Sequence, residues 1–200
     1  PTEARGFFSA FKSLVTAATH CDIVIAPPFP ALAAAVEAAH GSAISIDAQN
    51  LHWAKEGAFT GEVSAAMLVD SGCRGVIIGH SERRQFFFDT DDWVNKKLRA
   101  ALDAGLEPIV CVGETLQERE AKQTQAVLER QFRGAVASLT AAEFSRIIVA
   151  YEPVWAIGTG KTATPAQAQE AHLFIRKQAA ALYGPAFAAG LRILYGGSVT

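Results

Sequence analysis

Short, uniformly apolar runs alternate along the chain with longer segments in which apolar residues recur at helical spacing. An apolar run without polar alternation is typical of a strand that is buried on both faces of a parallel sheet. The longer segments have the pattern of helices that pack one face against such a sheet. The predicted strands, six in all, are Asp22–Ala26, Ala43–Ala48, Gly75–Gly79, Pro108–Val112, Ile147–Ala150 and Leu191–Tyr195.

Helical spacing and capping signals predict helices in the segments between these strands. The capping box Thr115–Glu118 is expected to open one long helix, buried through Leu128, Phe132, Val136 and Leu139. The first predicted helix is Glu3–Ala18, and one of its faces carries apolar residues at helical spacing: Phe7, Phe8, Phe11, Leu14, Val15 and Ala18. The other predicted helices are Pro30–Gly41, Ser64–Ser71, a short Ser81–Arg84 helix, Asp91–Ala104 and Thr164–Leu182.

Strands that alternate with helices predict an α/β protein with a parallel sheet under helical cover. On periodicity alone, a (β/α) barrel and a doubly wound sheet fit equally well. No GxGxxG motif follows the first strand, which weakens the case for dinucleotide binding. The fold class therefore stays open between these two architectures at the level of pattern.

Composition narrows the classes of function. The 200 residues suit a single domain spanning 1–200, with 50% hydrophobic and 19% charged residues. A net charge of −2 with mixed signs gives no indication of a nucleic-acid or membrane partner. Cys21, Cys73 and Cys111 have no metal-binding spacing, and we interpret them as buried, reduced thiols, without a metal site. No signal peptide is recognised, which predicts a cytoplasmic protein.

The segment Arg146–Thr162 carries the clearest candidate chemistry. Glu152 comes where the apolar strand leaves the sheet, and a loop with two glycines and a bulky tryptophan follows. A carboxylate on a rigid strand end beside such a loop suggests a general base with a moving cover. The alternative is a surface glutamate in an ordinary turn. The lid-like loop consists of Pro153, Val154, Trp155, Ala156, Ile157, Gly158, Thr159, Gly160 and Lys161.

The segment Ala150–Lys161 resembles the glutamate-bearing lid of the triosephosphate isomerase family, and Gly79–Arg84 and Tyr195–Ser198 match that family as well. The three motifs keep the family's order and spacing, so the resemblance covers essentially the whole chain. It implies an α/β TIM (β/α)8 barrel, with six strands recognisable here and the first and eighth absent. It also implies an isomerase that interconverts dihydroxyacetone phosphate and glyceraldehyde 3-phosphate through an enediolate, without metal or organic cofactor.

The resemblance assigns expected roles to individual residues. Glu152 would be the general base, and His80 would polarise the substrate carbonyl as a neutral imidazole. His80 precedes the short helix, whose positive end disfavours the imidazolium. Glu82 would support the site; its alternative is an ion pair with a nearby arginine. The substrate phosphate would meet backbone N–H groups at Gly158 and at Ser198, which follows Gly197.

The loop Leu51–Val63 lacks clear periodicity, and long irregular loops are usually functional or interfacial. In the family this loop crosses a dimer interface, which by resemblance makes Thr60 its tip; the alternative is a disordered surface loop. The expected partners are a phosphorylated triose and a second copy of the chain, as a homodimer of glycolysis and gluconeogenesis.

The family's chain also has a first strand with a catalytic lysine and an eighth strand with a Gly-Gly phosphate loop. Because neither is found here, we interpret the sequence as a portion of a longer protein, incomplete at both ends. Losing one such electrostatic group costs roughly 3–4 kcal/mol, so these residues alone are expected to be a poor catalyst. Lys161, at the far hinge of the lid, is no substitute.

Two other functions remain as alternatives to the isomerase. One is a non-catalytic remnant that self-associates, and the other is a barrel enzyme for another phosphorylated sugar.

Overall fold

The computed structural model describes residues 2–197, in which helices and parallel strands alternate. The strands are β1 (Ile23–Ile25), β2 (Ile44–Ala48), β3 (Gly75–Ile78), β4 (Glu107–Val112), β5 (Ile148–Tyr151) and β6 (Arg192–Tyr195). Each strand end lies within one residue of its prediction, the normal uncertainty of such boundaries. The α-helices are α1 (Thr2–Val15), α2 (Leu32–Ala39), α3 (Ala65–Asp70), α4 (Ser81–Phe86), α5 (Asp91–Asp103), α6 (Leu116–Glu120), α7 (Thr124–Ala135), α8 (Ala141–Phe144), α9 (Pro165–Tyr183) and α10 (Pro185–Gly190).

The chain forms two compact units. The first contains the residues up to Ile77 together with Arg99–Glu107, and the second contains Ile78–Leu98 together with the residues from Pro108 onward. The prediction of a single domain spanning 1–200 stays a prediction. Among the described residues, no helix is both long enough and apolar enough to cross a bilayer.

In the first unit, β1 pairs with β2 and β2 with β3, all in parallel. Helix α1 lies on α2, with Arg5 bonded to Glu37 at 2.7 Å. Only Phe8 of α1 is buried, whereas Phe7 is 46% and Leu14 80% exposed. The predicted apolar face of this helix is therefore only partly buried. Leu14 lies in the last turn of a helix that ends three residues before Ala18, beyond the cover of its neighbours.

In the second unit, β4 pairs with β5 and β5 with β6, again in parallel. The pairing runs from Ile109 opposite Ile148 to Val112 opposite Tyr151, so these two strands end side by side. Functional groups in parallel α/β folds gather at the carboxyl ends of the strands. This register therefore places the residues that follow β4 and β5 next to each other.

The prediction of one long helix after β4 is wrong, because this segment forms two separate helices, α6 and α7. The predicted capping box at Thr115 and Glu118 is present and opens α6. Lys122 then takes a left-handed conformation with φ 58°, and the backbone N–H of Gln123 bonds back to the Glu118 carbonyl at 2.8 Å. A left-handed residue of this kind closes a helix C-terminus. Helices α8 and α10 were not predicted.

Two of the three cysteines behave as predicted. Cys73 and Cys111 are buried free thiols, whereas Cys21 is exposed, so its predicted burial is wrong. Cys21 lies in the bend between α1 and β1, outside either element. An apolar neighbourhood in sequence does not bury a residue that precedes the strand.

Asp47 is a buried carboxyl group inside β2, with 3% of its surface exposed. It lies against Gly75, whose backbone N–H donates to it. A Cβ on Gly75 would lie 2.5 Å from Asp47 Oδ2, so only glycine leaves room for the carboxyl group. Burial and, to a smaller extent, the charge of Glu107 together raise the pKa of Asp47 to about 6, against the opposing effects of Gly75 and Arg74.

We expect Asp47→Asn to stabilise the protein at pH 7. The pKa of Asp47 is about 6 in the fold against 3.8 ordinarily, so its stabilising contribution is complete below about pH 3.8 and is lost as the pH rises to about 6. Removing the charge should raise the free energy of unfolding at pH 7 by on the order of 1–3 kcal/mol. Urea unfolding across this pH range measures the effect. Asp70→Asn, at an exposed position of the same unit, is the control. An Asp47→Asn variant no more stable than the parent at pH 7 would contradict the prediction.

Candidate active site

Glu152 is the first residue after β5, and glycines allow the backbone to approach it from two directions. Its backbone N–H donates to the Val112 carbonyl at 2.8 Å, which extends the ladder between β4 and β5. A Cβ on Gly113 would collide with the Glu152 carbonyl oxygen, and one on Gly196 would lie 3.0 Å from Glu152 Cγ. The glutamate is therefore held at a fixed place on the strand end.

The Glu152 carboxylate is buried and receives hydrogen bonds from both sides of the β3–α4 junction. His80 Nε2 lies 2.9 Å from Oε1, and the Ser81 backbone N–H donates to Oε2 at 3.0 Å. Only 6% of the Glu152 side chain is exposed. A buried carboxylate is costly unless its oxygens are paired, and these two donors provide the pairing. The structure thus brings together the two residues that the sequence singled out.

The contacts of the His80 ring are those of a neutral imidazole with one proton. Its Nδ1 accepts a hydrogen bond from the Glu82 backbone N–H at 3.3 Å, as the residue that caps α4. A ring nitrogen that accepts a hydrogen bond carries no proton, so the heavy-atom contacts assign the proton to Nε2, which donates to Glu152. The predicted neutral imidazole is consistent with this geometry.

The pKa of His80 is nevertheless raised above its ordinary value. The hydrogen bond to Glu152 is the main cause, burial opposes it, and the charges of Glu152 and Glu82 add to the rise. The contacts of a neutral ring and the raised pKa apply to different pH ranges. Above its pKa, His80 is the neutral donor that the contacts define, and acid converts it to an imidazolium paired with Glu152.

Glu82 lies in the first turn of α4 with 65% of its side chain exposed. Its carboxylate is 3.8 Å from Nδ1 of the His80 ring. Carboxylates near a helix N-terminus are favourable. The supporting role of Glu82 stays a prediction.

The lid-like loop begins as a short 3-10 turn, Val154–Ala156, and continues into an exposed stretch. Gly158 and Gly160 both have positive φ, at 66° and 75°, a conformation that glycine adopts without strain. The Thr159 hydroxyl donates to the Trp155 carbonyl at 2.8 Å. The beginning of the loop is therefore packed while its glycine-containing tip is open to solvent.

Glu114 anchors the beginning of the lid, a role that the sequence analysis missed. This fully buried carboxylate accepts hydrogen bonds from Trp155 Nε1 at 3.0 Å and from the Tyr151 hydroxyl at 3.1 Å. Arg119 pairs with it at 3.0 Å and lies over the Trp155 ring. Burial and the Glu114 charge raise the pKa of Tyr151, which keeps its hydroxyl a donor. The sequence did contain one signal for this role, because Glu114 is an acidic residue that comes directly after Val112 and Gly113 at the strand end.

Cys111 is a second neighbour of the glutamate that the sequence did not reveal. Its thiol is buried in β4, close enough to the Glu152 carboxylate for that group to act on its pKa. Burial and the Glu152 carboxylate raise its pKa well above the ordinary value, so the thiol stays protonated. It is therefore not a nucleophile here.

The predicted phosphate turn is only partly described. Gly196 N donates to the Tyr151 carbonyl at 2.7 Å, which holds the turn beside the end of β5. Gly197 follows, in a position where a Cβ would collide with the Tyr195 hydroxyl. Ser198 lies outside the described residues. The phosphate-binding roles of Gly158, Gly197 and Ser198 stay predictions.

A cavity of about 900 Å³ joins these elements within the second unit. Its lining includes Glu152, Ser81 and Glu82 on one side and Trp155, Gly158 and Thr159 of the lid on the other. No cluster of His, Cys, Asp and Glu that could hold a metal is found within residues 2–197. The lining therefore brings the Glu152 carboxylate and the glycine-containing loop around one space, and His80 contacts that carboxylate.

The loop Leu51–Val63, in the first unit, is closed at its base by a hydrogen bond from His52 N to the Val63 carbonyl at 2.8 Å. The His52 ring stacks on Trp53, and its centroid lies 4.3 Å from that of Phe59. Thr60 follows at an exposed position. The rings of His52, Trp53 and Phe59 thus pack together within the loop, and Thr60 is exposed to solvent.

Comparison with known proteins gives a consistent result. A family model described as Triosephosphate isomerase matches residues 1–200. The triosephosphate isomerase of Solibacter usitatus (strain Ellin6076) is 57% identical over 199 residues, covering 100% of this chain and 80% of the relative. Those of Citrifermentans bemidjiense and Endomicrobium trichonymphae are each 54% identical, covering 98% and 99% of this chain and 78% and 79% of the relatives.

The chain belongs to the triosephosphate isomerase family. Membership confirms the predicted α/β TIM-barrel fold class and decides against the doubly wound sheet. It also confirms the prediction of an isomerase, and no finding favours the non-catalytic alternative. The contact between His80 and Glu152 therefore occurs in a member of the triosephosphate isomerase family.

We expect Glu152→Gln to lower the pKa of His80, because the hydrogen bond to this carboxylate and its charge both raise that pKa. Histidine NMR titration measures the shift. Glu82→Gln is the matched control and should lower the pKa by less, since Glu82 is mostly exposed and 3.8 Å from the ring. An unchanged His80 pKa in Glu152→Gln would contradict the contact described here.

Proposed function

We propose that this chain interconverts dihydroxyacetone phosphate and glyceraldehyde 3-phosphate, with Glu152 as the general base and His80 as the donor to the substrate carbonyl. The observation that carries the proposal is the 2.9 Å contact between His80 Nε2 and Glu152 Oε1 at the lid-covered cavity. A base and a neutral donor side by side suit proton removal next to a carbonyl group.

The reaction follows from these two groups. Glu152 removes a proton from the carbon beside the carbonyl, and the electron pair moves onto the carbonyl oxygen to give an enediolate. The Nε2–H of His80 stabilises the charge that develops on that oxygen. His80 Nε2 gives its proton to that oxygen and takes back the hydroxyl proton of the neighbouring carbon, where the new carbonyl group forms. The protonated Glu152 returns its proton to the carbon that first carried the carbonyl group. No electrons are gained or lost overall. The carbonyl group moves to the neighbouring carbon, so that the ketone becomes the aldehyde or the reverse.

Substrate binding would also release the base. Both Glu152 oxygens are engaged, by His80 and by the Ser81 N–H. A substrate carbonyl that takes the His80 hydrogen bond removes one of these two donors. The carboxylate, freed on that side, can turn toward the carbon that carries the proton. In this proposal Glu82 supports His80 through the α4 turn that they share.

The lid and the Gly-Gly turn would hold the phosphate. Backbone N–H groups at Gly158, Gly197 and Ser198 are the proposed donors, since glycines let the backbone approach an anion closely. Closure of the lid would exclude water and protect the enediolate from losing phosphate. The packed base of the lid at Trp155 and its exposed tip at Gly158 support a hinge between them.

We expect Glu152→Gln to lower kcat for triose phosphate interconversion by roughly 10²–10⁴-fold, because the amide does not accept the proton. The change in KM should be small if the phosphate is held by the lid and the Gly-Gly turn. A coupled assay in both directions measures turnover. Glu170→Gln, at an exposed position of α9, is the control and should be unaffected. Retained turnover in Glu152→Gln would refute the role of Glu152, and faster turnover of a larger sugar phosphate would indicate a different substrate.

We further propose a homodimer that works in the cytoplasm, in glycolysis and gluconeogenesis. The triose phosphates interconverted by this reaction are intermediates of sugar breakdown and synthesis. The exposed aromatic rings support a protein partner: Phe59 is 46% exposed beside Thr60, and Phe86, Phe87 and Phe88 are 62%, 58% and 76% exposed. Apolar patches of this kind on a folded protein mark contact surfaces. The loop with Thr60 at its tip would reach the second copy.

We expect Thr60→Arg to convert the dimer into monomers, because a charged side chain at the loop tip would have to be buried without a partner. Sedimentation velocity at micromolar concentration measures the change. Thr19→Arg introduces the same charge at an exposed position of the first unit and should leave the dimer intact. A parent protein that sediments as a monomer would refute the proposed dimer.

A further inference from the structure

Gln131 forms two hydrogen bonds to a single residue at the end of β4. It lies in α7 with 5% of its surface exposed. The Gly113 backbone N–H donates to Gln131 Oε1 at 2.8 Å, and Gln131 Nε2 donates to the Gly113 carbonyl at 3.2 Å. A side-chain amide has the donor and acceptor of a peptide group. Gln131 therefore pairs with Gly113 as a neighbouring strand would.

Gly113 lies directly against the backbone of Glu152. Two ladder bonds flank the contact, from Glu152 N to the Val112 carbonyl at 2.8 Å and from Val154 N to the Glu114 carbonyl at 3.1 Å. Between them, a Cβ on Gly113 would collide with the Glu152 carbonyl oxygen. No side chain separates the two backbones, so a displacement of Gly113 passes directly to Glu152.

We propose that Gln131 is a positioning residue for the isomerisation, which fixes the Gly113 peptide groups and thereby the location of the Glu152 carboxylate. This inference rests on the proposed role of Glu152 as the base. Without the amide, two half-buried backbone groups of Gly113 lose their protein partners, and such groups are driven to move toward other partners. A displacement of about 1 Å at a reacting group costs roughly a hundredfold in rate.

The first test is Gln131→Met, which keeps the length of the side chain and removes both hydrogen bonds. We expect kcat for triose phosphate interconversion to fall roughly 10–100-fold. Gln131 and Gly113 also line the cavity, but the proposed phosphate donors lie on the lid and the Gly-Gly turn, so KM should stay within about twofold. Gln125→Met is the matched control, since Gln125 is exposed on the same helix. Circular dichroism and thermal unfolding establish that both variants are folded.

The second test separates positioning from a purely structural role through pH. In Gln131→Glu, the carboxylate still accepts from the Gly113 N–H but has no proton to donate to the Gly113 carbonyl. Protonation of the introduced glutamate restores that donor. We expect the kcat of Gln131→Glu, divided by that of the parent at the same pH, to rise as the pH falls. A structural role alone predicts a constant ratio.

The outcomes are distinguishable. A folded Gln131→Met with unchanged kcat, or a Gln131→Glu ratio that does not depend on pH, would overturn the inference. If neither variant folds, Gln131 is required for stability rather than for placement, and the inference is also overturned. Glu152→Gln is measured in parallel: retained turnover there refutes the proposed base itself. Lost turnover with an unaffected Gln131→Met refutes only the inference about Gln131.

Discussion

The parallel register between β4 and β5 is the constraint on which the site depends. It pairs Val112 with Tyr151, so that Glu152 leaves the sheet beside Gly113. From that one alignment, Glu114 meets the lid and Gln131 reaches the strand end from its helix. A shift by one residue would turn Glu152 to the opposite face of the sheet, since side chains alternate along a strand. The precision of the site is therefore set by backbone pairing before any side chain contributes.

Two buried carboxylates, Glu114 and Glu152, follow the paired strands β4 and β5, and their environments differ. Glu114 is satisfied by groups of the protein alone, from Tyr151, Trp155 and Arg119. Glu152 is satisfied by the start of α4, where His80 is 30% exposed at its side chain and open to competition from a ligand. Both arrangements offset the cost of burying a charge. In the proposed reaction, only the second carboxylate exchanges one of its donors for the substrate.

The sequence was sufficient for what depends on local pattern. Apolar runs located every described strand, and the resemblance of three motifs pointed to Glu152 and His80. The contributions of Glu114, Cys111 and Gln131 depend on strand register and on which face of α7 meets β4, which one-dimensional spacing does not contain. The break at Lys122 was missed because no glycine or proline marks it, and the left-handed turn is formed by an ordinary side chain.

Gly113 also limits how this sequence can change over evolutionary time. Because even the methyl group of alanine would collide with the Glu152 carbonyl oxygen, no single substitution at this position keeps the present backbone. A change there requires a simultaneous displacement of the strand that carries the glutamate, and one mutation does not supply both. Side chains around the cavity are free to drift toward other substrates. Gly113 cannot change neutrally, so new chemistry in this scaffold would have to arise around an unchanged backbone contact between Gly113 and Glu152.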